Sequence, residues 1–323
     1  MKEFEHKRIL SAARGSSVSA YRIRFSKRVI YGSALLAIIA SLALLAPRIA
    51  PLSFTYSPLD IHLDATNVPP FSPAHLLGTD YLGRDVFAQA VWGGRASLSV
   101  GIVAAVLAVA FGSVWGTFSA FAEGFIDAVM MRIVDGLLSI PSIILLLALN
   151  SLISAPGLIS GLPPYVLAAL RVNSYSYGLV PLVTVILVIS GTTWLEAARI
   201  SRAKVATVKE EEYIEAARAL GMSTIRMMLR HLLPNAASVL MVEATLLVSD
   251  AVLMESGLSF LGLGLGPATP SWGSMLSSAQ TSLIQGNWWA VFVPGLLISL
   301  TVGAVSQIGE GWLDLLGRRL PSA

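Results

Sequence analysis

The sequence predicts an all-α, polytopic membrane protein with six transmembrane helices. Hydrophobic residues make up 55% of the 323-residue chain and charged residues only 13%, whereas about a quarter of the residues in a soluble domain are charged. The apolar residues are gathered into runs close to the ~20 residues that a helix needs to cross a bilayer. Six such runs lie near residues 29–50, 96–120, 129–152, 177–198, 236–257 and 289–312.

The basic residues predict the orientation of the chain. Eight Lys and Arg residues lie in residues 1–28, seven in 199–230 and two after 317, so 17 of the 22 fall on one side of an alternating six-helix topology. By the positive-inside rule that side is the cytoplasm. The first run is expected to be retained as a helix, because both it and the basic segment before it are too long for a cleaved signal peptide.

This topology divides the chain into five parts. The connections after the first, third and fifth runs become external, and the first of these is rich in proline. The predicted parts are a cytoplasmic N-terminal tail (1–28), a first transmembrane helix (29–50), an external loop (51–93), a five-helix core (94–313) that contains a cytoplasmic polar loop (200–235), and a cytoplasmic C-terminal tail (314–323).

A turn-rich segment, residues 75–85, precedes the second run. Its glycines suit tight turns, and Asp80, Arg84 and Asp85 are expected to form a local network of charge-assisted hydrogen bonds. With one imidazole and no second group of carboxylates nearby, the segment predicts no catalytic residue and no metal site. Its sequence resembles the Gly-Thr-Asp and Leu-Gly-Arg-Asp signature of the C-type permeases of dipeptide and oligopeptide importers.

The second and third runs each carry one local feature. Gly112 and Gly116 form a GxxxG pattern, which is common in membrane helices and therefore weak evidence of close packing. Pro141 is expected to kink the third run because it lacks a backbone N–H. The surrounding residues 135–142 are similar to a second block of the same C-type family.

The polar loop after the fourth run is predicted to form two short helices joined at a glycine, an elbow at residues 208–233. Thr207 to Glu210 matches a capping box, Gly221 suits the left-handed residue that ends a helix, and Ser223 suits the next N-cap. A charged elbow between membrane helices is suited to docking outside the bilayer. Helical spacing repeats in both halves, at Tyr213, Ala216, Ala217 and Leu220 and at Ile225, Met228, Leu229 and Leu232.

The elbow resembles the EAA loop of ABC importer permeases, which has Glu-Ala-Ala, a glycine a few residues on and a downstream Leu-Pro. The resemblance implies a type I ABC importer permease fold in which this loop is a coupling helix seated in a groove of a cytoplasmic ATPase subunit. The residues expected to form that coupling surface are Glu212, Glu215, Ala216, Ala217, Gly221, Leu233 and Pro234.

Acidic residues in the fifth run are the other candidate site. Glu243 and Asp250 are seven residues apart and so lie on one helix face, while Glu255 is near the end of the run. Because a charge in lipid is costly, these side chains should face the pathway or a subunit interface. Glu243 and Asp250 could meet the ammonium group of a peptide or could form a structural pair, and the sequence favours neither.

The last blocks extend the resemblance and also limit it. Residues 255–264 and 270–276 are similar to the same C-type family, so the resemblance runs from about Leu76 to the final run. Residues 154–176 look longer than the usual family loop. The C-terminus lacks the Asp-Pro that members of the family often carry.

The absence of certain motifs indicates that the energy for transport must come from another subunit. The sequence has no phosphate-binding loop, no His-Glu-x-x-His motif and no cysteine, so it predicts neither ATP binding nor an enzyme. The resemblance implies a homologous second permease, two ATPase subunits that hold ATP and Mg²⁺, and an external substrate-binding protein, all assembled at the cell membrane without nucleic acid. The alternatives are the same machine importing nickel chelates or oligosaccharides, and an ion-coupled secondary transporter with Glu243 and Asp250 as proton sites.

Overall fold

The computed structural model describes residues 26–48, 58–73, 75–153, 179–266 and 269–317. All regular secondary structure in these ranges is helical, which confirms the predicted all-α fold for the described part of the chain. The long loop at 154–176 and most of both terminal tails lie outside these ranges, so the predictions made for them stay predictions.

Ten α-helices are described. Five helical stretches are long and apolar enough to cross a membrane, and a sixth crossing exists if the bent pair α3 and α4 counts as one span. The helices are α1 (Lys27–Leu44), α2 (Val86–Ala122), α3 (Gly124–Leu138), α4 (Ser142–Ile153), α5 (Leu179–Val208), α6 (Glu212–Ala219), α7 (Thr224–Met227), α8 (Leu233–Phe260), α9 (Trp272–Ile284) and α10 (Trp289–Gly317).

Helices α2 and α5 are longer than the apolar runs that predicted them. Helix α2 begins at Val86, ten residues before the predicted start, because the Asp85 carboxylate accepts a hydrogen bond from the Ala88 amide at 2.8 Å and caps the helix. Helix α5 continues to Val208. The capping box predicted at Thr207 is therefore wrong: Thr207 lies inside α5, and its hydroxyl donates to the Ala203 carbonyl at 3.2 Å.

The third predicted run is broken rather than gently kinked. Helices α3 and α4 meet at an angle of 97° around residues 139–141. Helix α3 ends with a hydrogen bond from the Ser139 amide to the Asp135 carbonyl. The Pro141 carbonyl then accepts a hydrogen bond from the Ile144 amide in the first turn of α4. Proline has no amide with which to continue the first helix, so the break falls where the sequence predicted a bend.

Helix α2 packs closely along α5 at the GxxxG pattern. A Cβ at Gly112 or Gly116 would collide with the backbone of α5 at Trp194 or Ala198. One turn further on, the Ser201 hydroxyl donates to the Ser113 carbonyl at 3.0 Å. The GxxxG pattern, weak as a sequence signal, thus coincides with the close helix crossing that small residues permit.

The bundle has two distinct ends. At the elbow end lie α6, α7 and the last turns of α2, α5 and α10, with Arg28 of α1 paired to Glu310 of α10 at 3.2 Å. At the opposite end, α9 and residues 58–85 pack over the helix ends. There the Trp272 indole donates to the Ala90 carbonyl at 2.9 Å and the Trp289 indole donates to the Thr79 carbonyl at 3.0 Å.

Candidate functional site

Helix α6 ends at Gly221 in a hydrogen-bonded turn. Gly221 has a φ of +78°, its amide donates to the Arg218 carbonyl at 3.0 Å, and the Met222 amide donates to the Ala217 carbonyl at 3.1 Å. These two bonds are those of a Schellman motif, which needs a left-handed residue at this position. The sequence thus predicted this backbone conformation correctly.

The helix starts in the elbow make little use of side-chain caps. Glu211 is the N-cap of α6 and Ser223 the N-cap of α7, and neither side chain makes a capping hydrogen bond. Glu212 and Glu215 lie in the first turn of α6, where a negative charge is stabilised by the helix dipole. The sequence located the second cap but predicted a hydroxyl bond that is not formed.

One face of the elbow is buried and another is free. Ile214, Met227 and Leu232 pack into a core with Val205 of α5 and Ala236 of α8, and Ala217 is also buried. The apolar residues of the predicted helical pattern lie mainly on the other side, where the exposed fractions are 44% for Tyr213, 89% for Leu220, 70% for Ile225 and 63% for Leu229. Ile225 and Leu229 of this outer face line a shallow concavity together with Arg226 and Arg230.

The second half of the elbow is continuous with the fifth membrane helix. Residues 228–232 form a π-helical turn in which the Leu233 amide bonds to the Met228 carbonyl, and α8 follows directly. Pro234 lies in the first turn of α8, where its missing amide is tolerated. Leu233 and Pro234 therefore belong to the joint between the elbow and the membrane helix. Asn235 links the two halves by donating to the Tyr213 hydroxyl at 3.0 Å.

Two ion pairs that were not predicted from the sequence hold the end of α5, where the elbow begins, against the junction of α2 and α3. The Lys209 ammonium contacts the Ala120 carbonyl at 3.2 Å and the Glu123 carboxylate at 3.0 Å, and the hydrogen bond from Lys209 lowers the pKa of Glu123. Next to them, the Arg202 guanidinium donates two hydrogen bonds to Asp127. No local pattern marks these pairs, because each joins residues more than 70 positions apart.

At the opposite end, Asp80, Arg84 and Asp85 are all buried, but their side chains form two separate groups rather than the single predicted network. The Asp80 carboxylate accepts from the Arg84 side chain at 2.8 Å and also from the Arg84 amide at 2.9 Å. The Asp85 carboxylate caps α2 and lies 2.9 Å from His75 Nδ1. These contacts fix the turn and the start of α2.

The acidic residues of α8 separate into two environments. Asp250 lines a cavity of about 240 Å³ at the α3–α4 break, together with Pro141, Thr192 and Glu196. Glu196 and Asp250 lie near Glu243, close enough for their charges to interact. Glu196 was missed by the sequence analysis, although the cost of a charge within an apolar run, which identified Glu243, applies equally to it.

Glu255 does not line that cavity. It is fully buried, and its carboxylate accepts from Ser97 at 2.9 Å and from Ser259 at 2.8 Å. The Ser97 hydroxyl also accepts from the Trp272 amide at 3.1 Å. Glu255 thus joins α2, α8 and α9. In the described ranges no three His, Asp or Glu residues come together as a metal site.

Comparison with known proteins shows which family and which proteins the chain is similar to. Residues 108–320 match the family described as binding-protein-dependent transport system inner membrane component. The chain is 33% identical to the dipeptide transport system permease protein DppC of Bacillus subtilis, over 93% of this chain and 84% of that protein. It is 34% identical to the di/tripeptide transport system permease protein DppC of Pseudomonas aeruginosa, over 92% of this chain and 90% of that protein. It is also 33% identical to the oligopeptide transport system permease protein OppC of Bacillus subtilis, over 93% and 88%.

Proposed function

The chain belongs to the binding-protein-dependent transport system inner membrane components, and from that premise we propose that it is a permease subunit of an ATP-driven importer of dipeptides and oligopeptides. The observation that carries the substrate class is the similarity to peptide permeases over more than nine-tenths of the chain. These relatives are transport permeases, so the chain acts by forming a pathway and performs no covalent chemistry. Half of the pathway comes from this chain and half from a homologous second permease.

In this proposal the elbow end is cytoplasmic, and both termini lie there. The basic residues of the N-terminal tail and of residues 199–230 support that orientation. Two ATPase subunits then bind from the cytoplasm, one to each permease, and hold the ATP and Mg²⁺. The opposite end, with α9 and residues 58–85, faces the external substrate-binding protein.

The outer face of the elbow is the proposed contact with the ATPase. Its exposed Leu220, Ile225 and Leu229 offer apolar side chains to a groove, and Arg226 and Arg230 beside them offer positive charge. Because α7 continues through the π-helical turn into α8, a displacement of the elbow is transmitted directly to a membrane helix. The pathway would alternate between outward-open and inward-open states by such rigid movements.

The carboxylates near the α3–α4 break are the proposed contact with the substrate. Glu196 and Asp250 line a cavity beside two threonine hydroxyls, and a peptide brings an ammonium group for which carboxylates are suitable partners. We place this contact on the pathway wall, with the second permease supplying the other side.

Uptake by the reconstituted complex tests the function. Proteoliposomes that contain both permeases, the ATPases and the binding protein should accumulate a labelled dipeptide only when ATP is inside the compartment that the ATPases face. Uptake that needs no ATPase and collapses when an ionophore removes the proton gradient would instead establish a secondary transporter. Competition by unlabelled peptides, nickel chelates and oligosaccharides then identifies the substrate class.

A further inference from the structure

An apolar groove lies on the side of the bundle, away from the elbow and from the carboxylates. It has a volume of about 330 Å³ and is lined by residues of α1, α2, α10 and the segment before α2, and by the first residue of α9, Trp272. Every side chain that lines it is aliphatic or aromatic. A groove of this chemistry would be costly to hydrate, so an apolar occupant is favoured.

The groove lies at the depth of one leaflet. Its α1 residues, Ile39, Leu42 and Ala43, are among the last six of that helix, and its α10 residues begin beside the first, at Trp289. Both helix ends are at the end of the bundle opposite the elbow, so the groove occupies the half of the bilayer farther from the elbow. Acyl chains are the apolar groups available at that depth.

Aromatic side chains surround the mouth of the groove. Trp288 is 58% exposed and packs edge-on against Phe292, with ring centroids 5.8 Å apart. Phe71 also lines the groove, although 83% of the residue is exposed. An exposed tryptophan beside an apolar membrane surface is typical of the boundary between acyl chains and headgroups.

The backbone at Phe71, beside the mouth of the groove, has an unfavourable conformation. Its φ is +63°, which a bulky side chain rarely adopts, and its amide is fixed by a 3.0 Å bond to the Leu76 carbonyl. Such strain persists where the surroundings determine it and is concentrated at binding sites. An exposed aromatic ring held in this way beside an apolar groove indicates a contact that is completed by another molecule.

A basic residue follows the part of α1 that lines the groove. Arg48 is five residues beyond Ala43 in the chain, shortly after α1 ends at Leu44, and among the described residues it forms no ion pair. Arg84, at the same end, is paired with Asp80. A guanidinium that has no ion pair within the described ranges, and that is close in sequence to an apolar groove, is suited to pair with a phosphate group.

We propose that this groove binds one acyl chain of a membrane phospholipid, whose phosphate pairs with Arg48. The proposal goes beyond peptide transport and depends only on the chain lying in a bilayer. We assign a phospholipid because phospholipids form the bilayer that surrounds the chain, and each carries an acyl chain for the groove and a phosphate for the guanidinium.

Photolabelling locates the lipid. The intact complex is reconstituted with a phospholipid that carries a diazirine in one acyl chain, irradiated and digested for mass spectrometry. We expect the label to concentrate in peptides that contain residues 87–94 and 288–297. Leu296→Trp, which fills the groove, should lower that labelling about tenfold, the ratio given by a loss of 1.4 kcal/mol in binding. Leu300→Trp, one turn away on the same helix and outside the groove, is the matched control.

Two further measurements separate the outcomes. Arg48→Gln should reduce the number of phospholipids that co-purify with the complex in native mass spectrometry, and Arg48→Lys should restore it. Label spread evenly along all lipid-facing helices, or unchanged in Leu296→Trp, would overturn the proposal. So would efficient cross-linking of Leu296→Cys to the second permease, because the groove would then be a subunit interface. Dipeptide uptake is measured in parallel, so that a failure of the transport proposal is recognised separately.

Discussion

Glycine is required at position 221 because of its backbone conformation, and not because a side chain would lack space. Nothing lies within 4 Å of the position that a Cβ would occupy, yet its φ of +78° is one that side chains disfavour. A valine there should cost about 1–2 kcal/mol and should unwind the end of α6 without disturbing the membrane helices. The local sequence sufficed to predict this residue, because a Schellman turn is defined by a few consecutive positions.

The Gly221→Val complex should therefore assemble but lose coupling. We expect ATP hydrolysis stimulated by the loaded binding protein to fall towards the basal rate, while the melting temperature of the complex in detergent stays nearly unchanged. Gly221→Asn is the matched control, since asparagine tolerates the left-handed region, and it should retain most of the stimulation. A fully stimulated valine variant would contradict the proposed role of the elbow.

At the scale of elements, two ion pairs join α3 to α5 and differ in burial. Asp127 is 16% exposed and accepts from Arg202 at 2.7 Å, whereas Asp135 and Arg199 are 3.6 Å apart and both more than half exposed. An exposed pair contributes little because water screens it and its side chains lose entropy. A partly buried pair with two hydrogen bonds leaves an unsatisfied group behind when one partner is removed.

Asp127→Ala should therefore destabilise the subunit by about 1–2 kcal/mol, after allowance for the exposed part of Arg202. Asp135→Ala should change stability by less than about 0.5 kcal/mol. Thermal unfolding of the two variants under identical detergent conditions measures the difference. Equal effects would mean that the Asp127 contact does not anchor α3 to α5.

The same elements show where sequence reasoning stopped. The position of the α3–α4 break follows from Pro141, but the 97° angle depends on packing against α5. The capping box at Thr207 matched a local pattern, yet α5 continues because Val205 and Val208 are buried against the elbow. Helical spacing identified apolar residues in α6 without showing which face packs inward, since Ile214 and Ala217 are selected by tertiary contacts.

For the whole molecule, the orientation is open to direct measurement because the chain has no cysteine. Ser223 and Thr281 are both exposed and lie at opposite ends of the bundle. A membrane-impermeant thiol reagent added to intact cells should label Thr281→Cys but not Ser223→Cys. Both should react after the cells are opened, which controls for accessibility. Labelling of Ser223→Cys in intact cells would reverse the proposed topology.

In the proposed assembly the pathway belongs to the whole complex, because a second permease would supply the other wall. Glu196 and Asp250 approach the cavity from two different helices, and Glu243 lies near both. Holding carboxylates in the membrane costs free energy. In a complete pathway this acidic wall would therefore favour a substrate whose ammonium group offsets part of that cost. Selectivity at this site would then depend on the charge at the amino terminus of the peptide.

Neutralising Glu196, Glu243 and Asp250 together, as Gln, Gln and Asn, tests that dependence. Uptake of a free dipeptide should fall roughly two- to tenfold, because a partly exposed charge pair contributes about 0.5–1.4 kcal/mol. Uptake of the same dipeptide with an acetylated amino terminus should change less. Basal ATP hydrolysis should be retained, since the elbow is untouched. An equal loss for both peptides would make the carboxylates structural, and no loss for either would leave selection to the binding protein.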